Sequence, residues 1–222
     1  MWAADGGQVI VLVEAFLGNG LGLPTQQREH AERRSAVVRS GDTDAHVAIT
    51  FAAYNVGPCR NLDEDNLCRI YERRPLVCRI YPAEINPHIP LNPAAKDCPP
   101  ESWEQGPLLI AGGDLVDQEL VELIQRSRQA DRDEIGIKDT ICAMLGIRTT
   151  ALKGDGFTAY LPNMIAFATA IDQVTAQPLA TAPSEWLFHV SGDDVAEQVS
   201  AAGALVVTEP AQTYAFISLR AA

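Results

Sequence analysis

Hydrophobic and polar positions follow two different periods along this chain, and the changes of period mark its predicted elements. Gln8 to Val13 is a β-branched run that reads as a buried strand, and Ala45 to Phe51 sets Val47, Ile49 and Phe51 on one face of a second. Between them, Gly18-Asn19-Gly20-Leu21-Gly22 predicts a loop, with Thr25 capping a polar helix through Gln26, Glu29 and Arg33. Helical spacing governs the stretch after Asp114, which reads as the N-cap of a helix carrying Val116, Leu120, Leu123 and Ile124 on one face. A second helix fits Asp133 to Leu145, with Ile137, Ile141 and Leu145 spaced by four and Gly146 as its stop. Pro162 opens a third through Met164, Ile165, Phe167 and Ile171. The tail predicts strand Trp186–Val190, a helix over Asp193–Ala202 capped by Gly192-Asp193-Asp194, and strands Ala204–Thr208 and Thr213–Leu219.

The middle of the chain obeys neither period. Asn55 to Pro58 is a turn that delivers Cys59, and Asn61 to Asn66 is an acidic turn. Cys68 to Arg74 predicts about two helical turns ended by Pro75, which itself opens a short helical piece carrying Cys78. From Pro82 to Pro100, prolines at 82, 87, 90, 93, 99 and 100 remove both helix and central strand. A connection of that length is uncommon in a compact domain unless something anchors it, and Cys98 is the natural anchor. Together these elements predict an α+β fold, a cysteine-rich irregular module with helices and a small mixed sheet. The expected division is 1–105, the cysteine module with N-terminal strands, and 106–222, a helical segment with a small α/β tail.

Composition narrows the function classes. The 222 residues are 47% hydrophobic and 21% charged, as in an ordinary soluble protein long enough to bury a core. A net charge of -12 argues against binding nucleic acid or an anionic membrane surface. The apolar stretch from Val9 to Leu23 lacks a basic flank, contains Glu14 and Asn19, and is too short to span a bilayer, so a cytoplasmic location is expected. Thiols stay reduced there, and clustered cysteines then bind metal more often than they form disulfides.

Four of the five cysteines, Cys59, Cys68, Cys78 and Cys98, fall in this middle segment, and Cys-Arg-Ile-Tyr occurs twice within it. Four thiolates close one zinc site or hold one iron–sulfur cluster. The spacing C-x8-C-x9-C-x19-C matches neither a zinc ribbon nor a bacterial ferredoxin, so spacing alone leaves open whether these are ligands or small buried hydrophobes. Arg60, Arg69, Arg73, Arg74 and Arg79 crowd the same segment, either as hydrogen-bond donors to sulfur or as surface partners of Asp63, Glu64, Asp65 and Glu72. The strand, G-x-G-x-G and helix at the start suggest a nucleotide loop, but no repeating strand–helix units follow, and a plain turn is the simpler reading. His88 reads as a loop residue, Cys142 as core beside Ile141 and Leu145, and His189 as structural. No Ser/His/Asp set or Cys/His pair emerges.

Cys68-x-Ile70-Tyr71-x-x-Arg74-Pro75-x-x-Cys78-Arg79-x-Tyr81-Pro82, with Cys59 before and Cys98 after, resembles the YkgJ-like cysteine-cluster family of zinc- or iron-chelating domains. The fixed Arg-Pro between two cysteines is the specific part. The resemblance covers about residues 50 to 103 and implies that Cys59, Cys68, Cys78 and Cys98 are metal ligands, with Arg69, Arg74 and Arg79 around them. The same module occurs in flagellin lysine N-methylases. Family members open with a further C-x-x-C-C group, and no cysteine precedes Cys59 here. A closed four-thiolate site is structural or electron-transferring rather than hydrolytic. The expectation is thus a metal-binding protein holding zinc or an iron–sulfur cluster. The alternatives are a cluster-dependent redox or group-transfer enzyme and a metal-free interaction domain.

Overall fold

A computed structural model describes residues 6–177, 185–209 and 211–220. In chain order the elements are β1 Gln8–Leu17, α1 Arg28–Glu32, β2 Ala36–Ser40, β3 Thr43–Tyr54, α2 Leu76–Ile80, β4 Ile110–Ala111, β5 Asp114–Leu115 and α3 Gln118–Asp133. There follow α4 Ile135–Met144, β6 Thr149–Leu152, β7 Gly156–Tyr160, α5 Met164–Ala176, β8 Leu187–His189, α6 Asp193–Ala201, β9 Val206–Val207 and β10 Ala215–Ser218. Helices and a mixed eight-stranded sheet make this an α+β fold.

Two compact units emerge. One, the framework, joins the described residues up to Arg60 with those from Glu134 onward; the other, the insertion, is Asn61–Asp133. The first unit is discontinuous in sequence because β1 finds partners on both sides of the insertion. β3 lies antiparallel along its whole length, from Gln8↔Tyr54 to Leu17↔Ala45. Its other edge is shared: Val11–Val13 pair antiparallel with β7, and Glu14–Ala15 pair parallel with β6.

The sheet therefore forks beyond β1, with β7–β10 as one arm and β6–β8–β9 as the other. At the fork the Thr149 carbonyl accepts hydroxyls from Thr158 (3.0 Å) and Tyr160 (2.6 Å), so side chains satisfy a backbone group that a regular ladder would have paired. The β6 arm curls round to meet β2, where Arg39 bridges Glu185 and the Trp186 amide donates to the Arg39 carbonyl at 2.9 Å.

β1 runs to Leu17, four residues past its predicted end. Val9, Val11, Val13, Ala15 and Leu17 are all buried, while Glu14 sits on the half-buried face and pairs with Lys153 at 2.5 Å. The charge is thus accommodated within the strand. Twenty-two buried residues form one core beneath α4, α5 and α6, including Ile141, Phe167, Val174, Trp186, Phe188 and Val199. Each large side chain in it contributes about 1.5–3 kcal/mol by leaving water.

The glycine loop after β1 is a packed turn. Gly22 has φ 91°, a left-handed backbone that other residues rarely adopt, and it sits close against the Leu152 side chain of β6, where a Cβ would stand 2.8 Å away. β2, which follows α1, is antiparallel to β3, and no doubly wound sheet forms. Thr25 lies inside a short 3-10 turn that follows Pro24, and α1 starts only at Arg28, with no side-chain cap.

Other boundaries shift for local reasons. Asp114 belongs to β5, because Gly112 and Gly113, both at positive φ, form the β4–β5 turn; the cap of α3 is Asp117, whose carboxylate accepts the Leu120 amide at 3.1 Å. Val116 consequently stays off the buried face and is 48% exposed. Ile137 is also exposed, whereas Ile141 is buried. Asn163, just after Pro162, caps α5 through the Ile165 and Ala166 amides. α6 is entered at Gly192 with no side-chain cap.

The insertion is built otherwise. Its core consists of Ile80, Ala83, Leu120, Leu123 and Ile124, with Leu76, Ile85, Leu109 and Leu115 packed against them. Among the described residues no helix is long and apolar enough to cross a membrane.

Candidate metal centre

Each cysteine of the middle segment is delivered by a different local device. Cys59 follows β3 and the Asn55–Pro58 turn, which the Arg60 amide closes onto the Asn55 side chain at 3.4 Å; the thiol is exposed. Cys68 ends an acidic turn. The Asp63 carboxylate accepts the amides of Asp65 (3.0 Å) and Leu67 (2.8 Å), Asn66 adopts φ 61°, and Cys68 bridges back to Leu62. That bridge, with the Arg69 amide donating to the Asn61 carbonyl at 2.8 Å, commits the backbone that a helix over Cys68–Arg74 would need; only a 3-10 turn at Tyr71–Arg73 remains.

Cys78 lies in α2, which Pro75 opens as expected. Leu76 and Ile80, four apart, face the small core, and Cys78 midway between them is exposed with its neighbour Val77. Cys98 is half-buried beside Tyr81, whose hydroxyl accepts the Asp97 amide at 2.9 Å. The Tyr81 hydroxyl is held above its usual range, by desolvation first and then by the Cys98 thiol and the Asp97 charge, with the Asp97 backbone bond acting the other way. Lys96 pairs with Glu84 at 2.5 Å and lies over the Tyr81 ring, 5.7 Å from its centre.

The proline-rich run between Cys78 and Cys98 contributes only a 3-10 turn at Pro93–Ala95. Cys98 also lines a groove of about 370 Å³ with Pro82, Trp103, Leu108 and Leu109.

Arginines nearby are engaged in particular ways. Arg74 stacks its guanidinium 3.6 Å from the Tyr71 ring centre and donates to the Tyr71 carbonyl at 3.0 Å. Arg79 pairs with Glu119 of α3 at 3.0 Å, rather than with the acidic turn. His88 is exposed on the loop. Cys142 is fully buried in the framework core, and burial raises its thiol pKa to about 12. His189 is buried, hydrogen-bonded to the Tyr214 hydroxyl at 2.7 Å and stacked on Phe216, which makes it structural.

None of the five cysteines is in a disulfide. Soft, accessible thiols suit zinc or iron by their chemistry. Among the described residues, however, no three His, Cys, Asp or Glu side chains stand close enough to hold one ion.

Sequence reasoning missed α3 as a support of the segment. Arg128 of α3 donates from Nε to the Ile85 carbonyl at 2.7 Å, inside the proline-rich run. The signal was present: Leu120, Ile124 and Arg128 are spaced by four, so the arginine continues an apolar stripe.

No curated protein and no solved structure matches the chain. Residues 22–99 match the family model described as "Putative zinc- or iron-chelating domain", the CxxCxxCC family, in agreement with the cysteine-cluster resemblance carried by the Arg74-Pro75 motif.

Proposed function

We propose that this chain is a zinc- or iron-binding protein in which Cys59, Cys68, Cys78 and Cys98 are the thiolate ligands. The observation that carries the reading is the poverty of the insertion's core: five buried apolar residues in a unit that contains three of these thiols. Units of this size rarely derive more than about 3–5 kcal/mol from a single hydrophobic core and commonly rely on a metal or disulfides. With no disulfide present, bound metal is the remaining staple. A zinc ion or iron–sulfur cluster would supply cross-linking thiolate bonds, the cluster adding one-electron chemistry. Arg69, Arg74 and Arg79 would offset the negative charge that four thiolates create. Cysteines that form no disulfide suit a reducing compartment such as the cytoplasm.

Protein purified without oxygen should carry about one site per chain by elemental analysis. Neither zinc nor iron above trace would overturn the reading, and a brown colour would select the cluster over zinc. The enzyme alternative draws on the groove beside Cys98, which offers room for a small molecule next to a proposed ligand. On that reading Trp103→Ala should leave metal content unchanged while weakening turnover.

A further inference from the structure

We infer that the groove beside Cys98 is a binding site for a small organic cation with an apolar body; the inference deepens the reading of this groove given above and requires no bound metal.

Local sequence sets the walls. Pro99 and Pro100 lead into a 3-10 turn over Pro100–Trp103, closed by the Ser102 amide on the Pro99 carbonyl at 2.9 Å. The Glu104 amide follows onto the Glu101 carbonyl at 3.3 Å. Gly106, at φ 94°, then bends the chain into Pro107 and Leu108. Leu109 anchors the end of this stretch: it packs against the insertion's small core, and its carbonyl accepts the Val116 amide at 3.0 Å. Every lining residue belongs to the insertion, so the groove lies within one compact unit. Its volume of about 370 Å³ falls at the lower end of the range of about 300–1,000 Å³ that small-molecule sites occupy.

The lining selects the chemistry. Pro82, Trp103, Pro107, Leu108 and Leu109 make most of it apolar, and Leu108 is 73% exposed, so an apolar body laid there removes surface from water. Tryptophan is also the ring that attracts a cation most strongly. Glu104 is the one ionised group of the lining among the described residues, and no ion pair holds its carboxylate there. Asp97 and Glu101, both exposed, lie close by in the chain with the same sign. Lys96, the nearest cation in sequence, is already engaged by Glu84 at 2.5 Å. An anion would meet like charge in this groove, and a neutral apolar molecule would partly desolvate a carboxylate without pairing it. A cation with an apolar body meets both demands, and the Ser102 hydroxyl and Gln105 amide carbonyl can accept its N–H groups.

The test uses benzylamine, benzyltrimethylammonium, benzyl alcohol and phenylacetate, which share one ring and differ in charge. Affinities are measured by ligand-observed NMR titration at low salt, and zinc and iron are assayed in the same preparation. Nitrogen-labelled tryptophan reports where the ligand sits. Both cations should bind about fivefold more tightly than benzyl alcohol, with phenylacetate undetected. The Trp103 indole signal should shift, whereas that of the fully buried Trp186 should not. Glu104→Gln, at an exposed position, should weaken both cations about threefold and leave benzyl alcohol unchanged, and Trp103→Ala should weaken all three. Equal binding of benzylamine and benzyl alcohol, preference for phenylacetate, absence of binding, or an unmoved Trp103 signal overturns the inference. Should Trp103→Ala fail to fold, unchanged cation affinity in Glu104→Gln overturns it equally. Cation binding by protein that carries neither zinc nor iron would sink the chelating reading alone; metal without cation binding would sink the groove inference alone.

Discussion

The framework and the insertion solve the same stability problem in opposite ways. The framework gathers twenty-two buried residues into one cluster and closes its sheet through strands from both ends of the chain. The insertion buries five and leaves eight large apolar side chains exposed, Leu67, Tyr71, Val77 and Leu108 among them. The difference teaches where each part keeps its free energy. Framework stability resides in desolvated surface, which is insensitive to redox state or chelators. In the insertion the small core leaves room for cross-links to contribute, and on the chelating reading proposed above thiolate–metal bonds would supply them.

Metal removal is expected to break the comparison most visibly. Structural zinc contributes roughly 10 kcal/mol or more to the folding of small modules. Chelation, or Cys98→Ser, should therefore expose the stretch between Pro82 and Trp103 to limited proteolysis, while fragments of the framework stay resistant. Unchanged resistance there would mean that packing against α3 suffices and that Cys98 is not a structural ligand.

The converse experiment attacks the framework. Phe188 is fully buried, and Phe188→Ala should cost about 3–5 kcal/mol in denaturant unfolding. Metal content per folded chain should not change. Loss of metal in this variant would show that the two units do not keep separate accounts of stability.

Cys142→Ala sharpens the assignment of thiols. It should cost about 1 kcal/mol or somewhat more and leave metal content as in wild type, whereas Cys59→Ala should lower it. The pH dependence is a second readout. Burial first, then the Asp139 charge, raise the Cys142 pKa from 9.0 to about 12, with Arg148 opposing. Below pH 9 the thiol is protonated whether the chain is folded or not; above it only the unfolded chain ionises readily, so stability should fall from pH 9 towards 12. Cys142→Ala should flatten that slope.

The smallest effect lies on the acid side. Burial lowers the His189 pKa below 6.5, with Asp155 pulling the other way. Protonation then favours the unfolded chain, and the stability this residue contributes above pH 6.5 should decline as the pH drops below it. His189→Gln, which retains a hydrogen-bonding partner for Tyr214, should lessen the decline in denaturant midpoints between pH 7 and 5.

Much of the helical half and the cysteine-cluster motif were legible in the sequence. α4 and α5 fall where four-residue spacing put them, and Pro75 opens α2. β6 and β7 were not legible. Their buried positions include Thr150 and Thr158, and Thr158 is satisfied by the Val13 and Thr149 carbonyls, bonds that no local pattern announces. The nesting of the units was equally hidden, since it depends on β1 pairing with strands more than a hundred residues away. At the candidate centre, residue types and motif were readable, but the packing that presents Cys78 and the contact that holds the Cys98 segment depend on α3 and Tyr81.

Nesting has a kinetic consequence for the metal site proposed above. Because Asn61–Asp133 is bounded on both sides by framework chain, an opened insertion is a tethered loop and not a free tail. Its ends remain fixed to a folded body, and the entropy of closing such a loop rises only slowly with length, by about 0.6 kcal/mol per doubling. Opening can therefore be frequent and local, and each closure searches a confined volume in which the thiols stay at high effective concentration. On the chelating reading proposed above, such a site would exchange its ion by local opening, without unfolding of the framework.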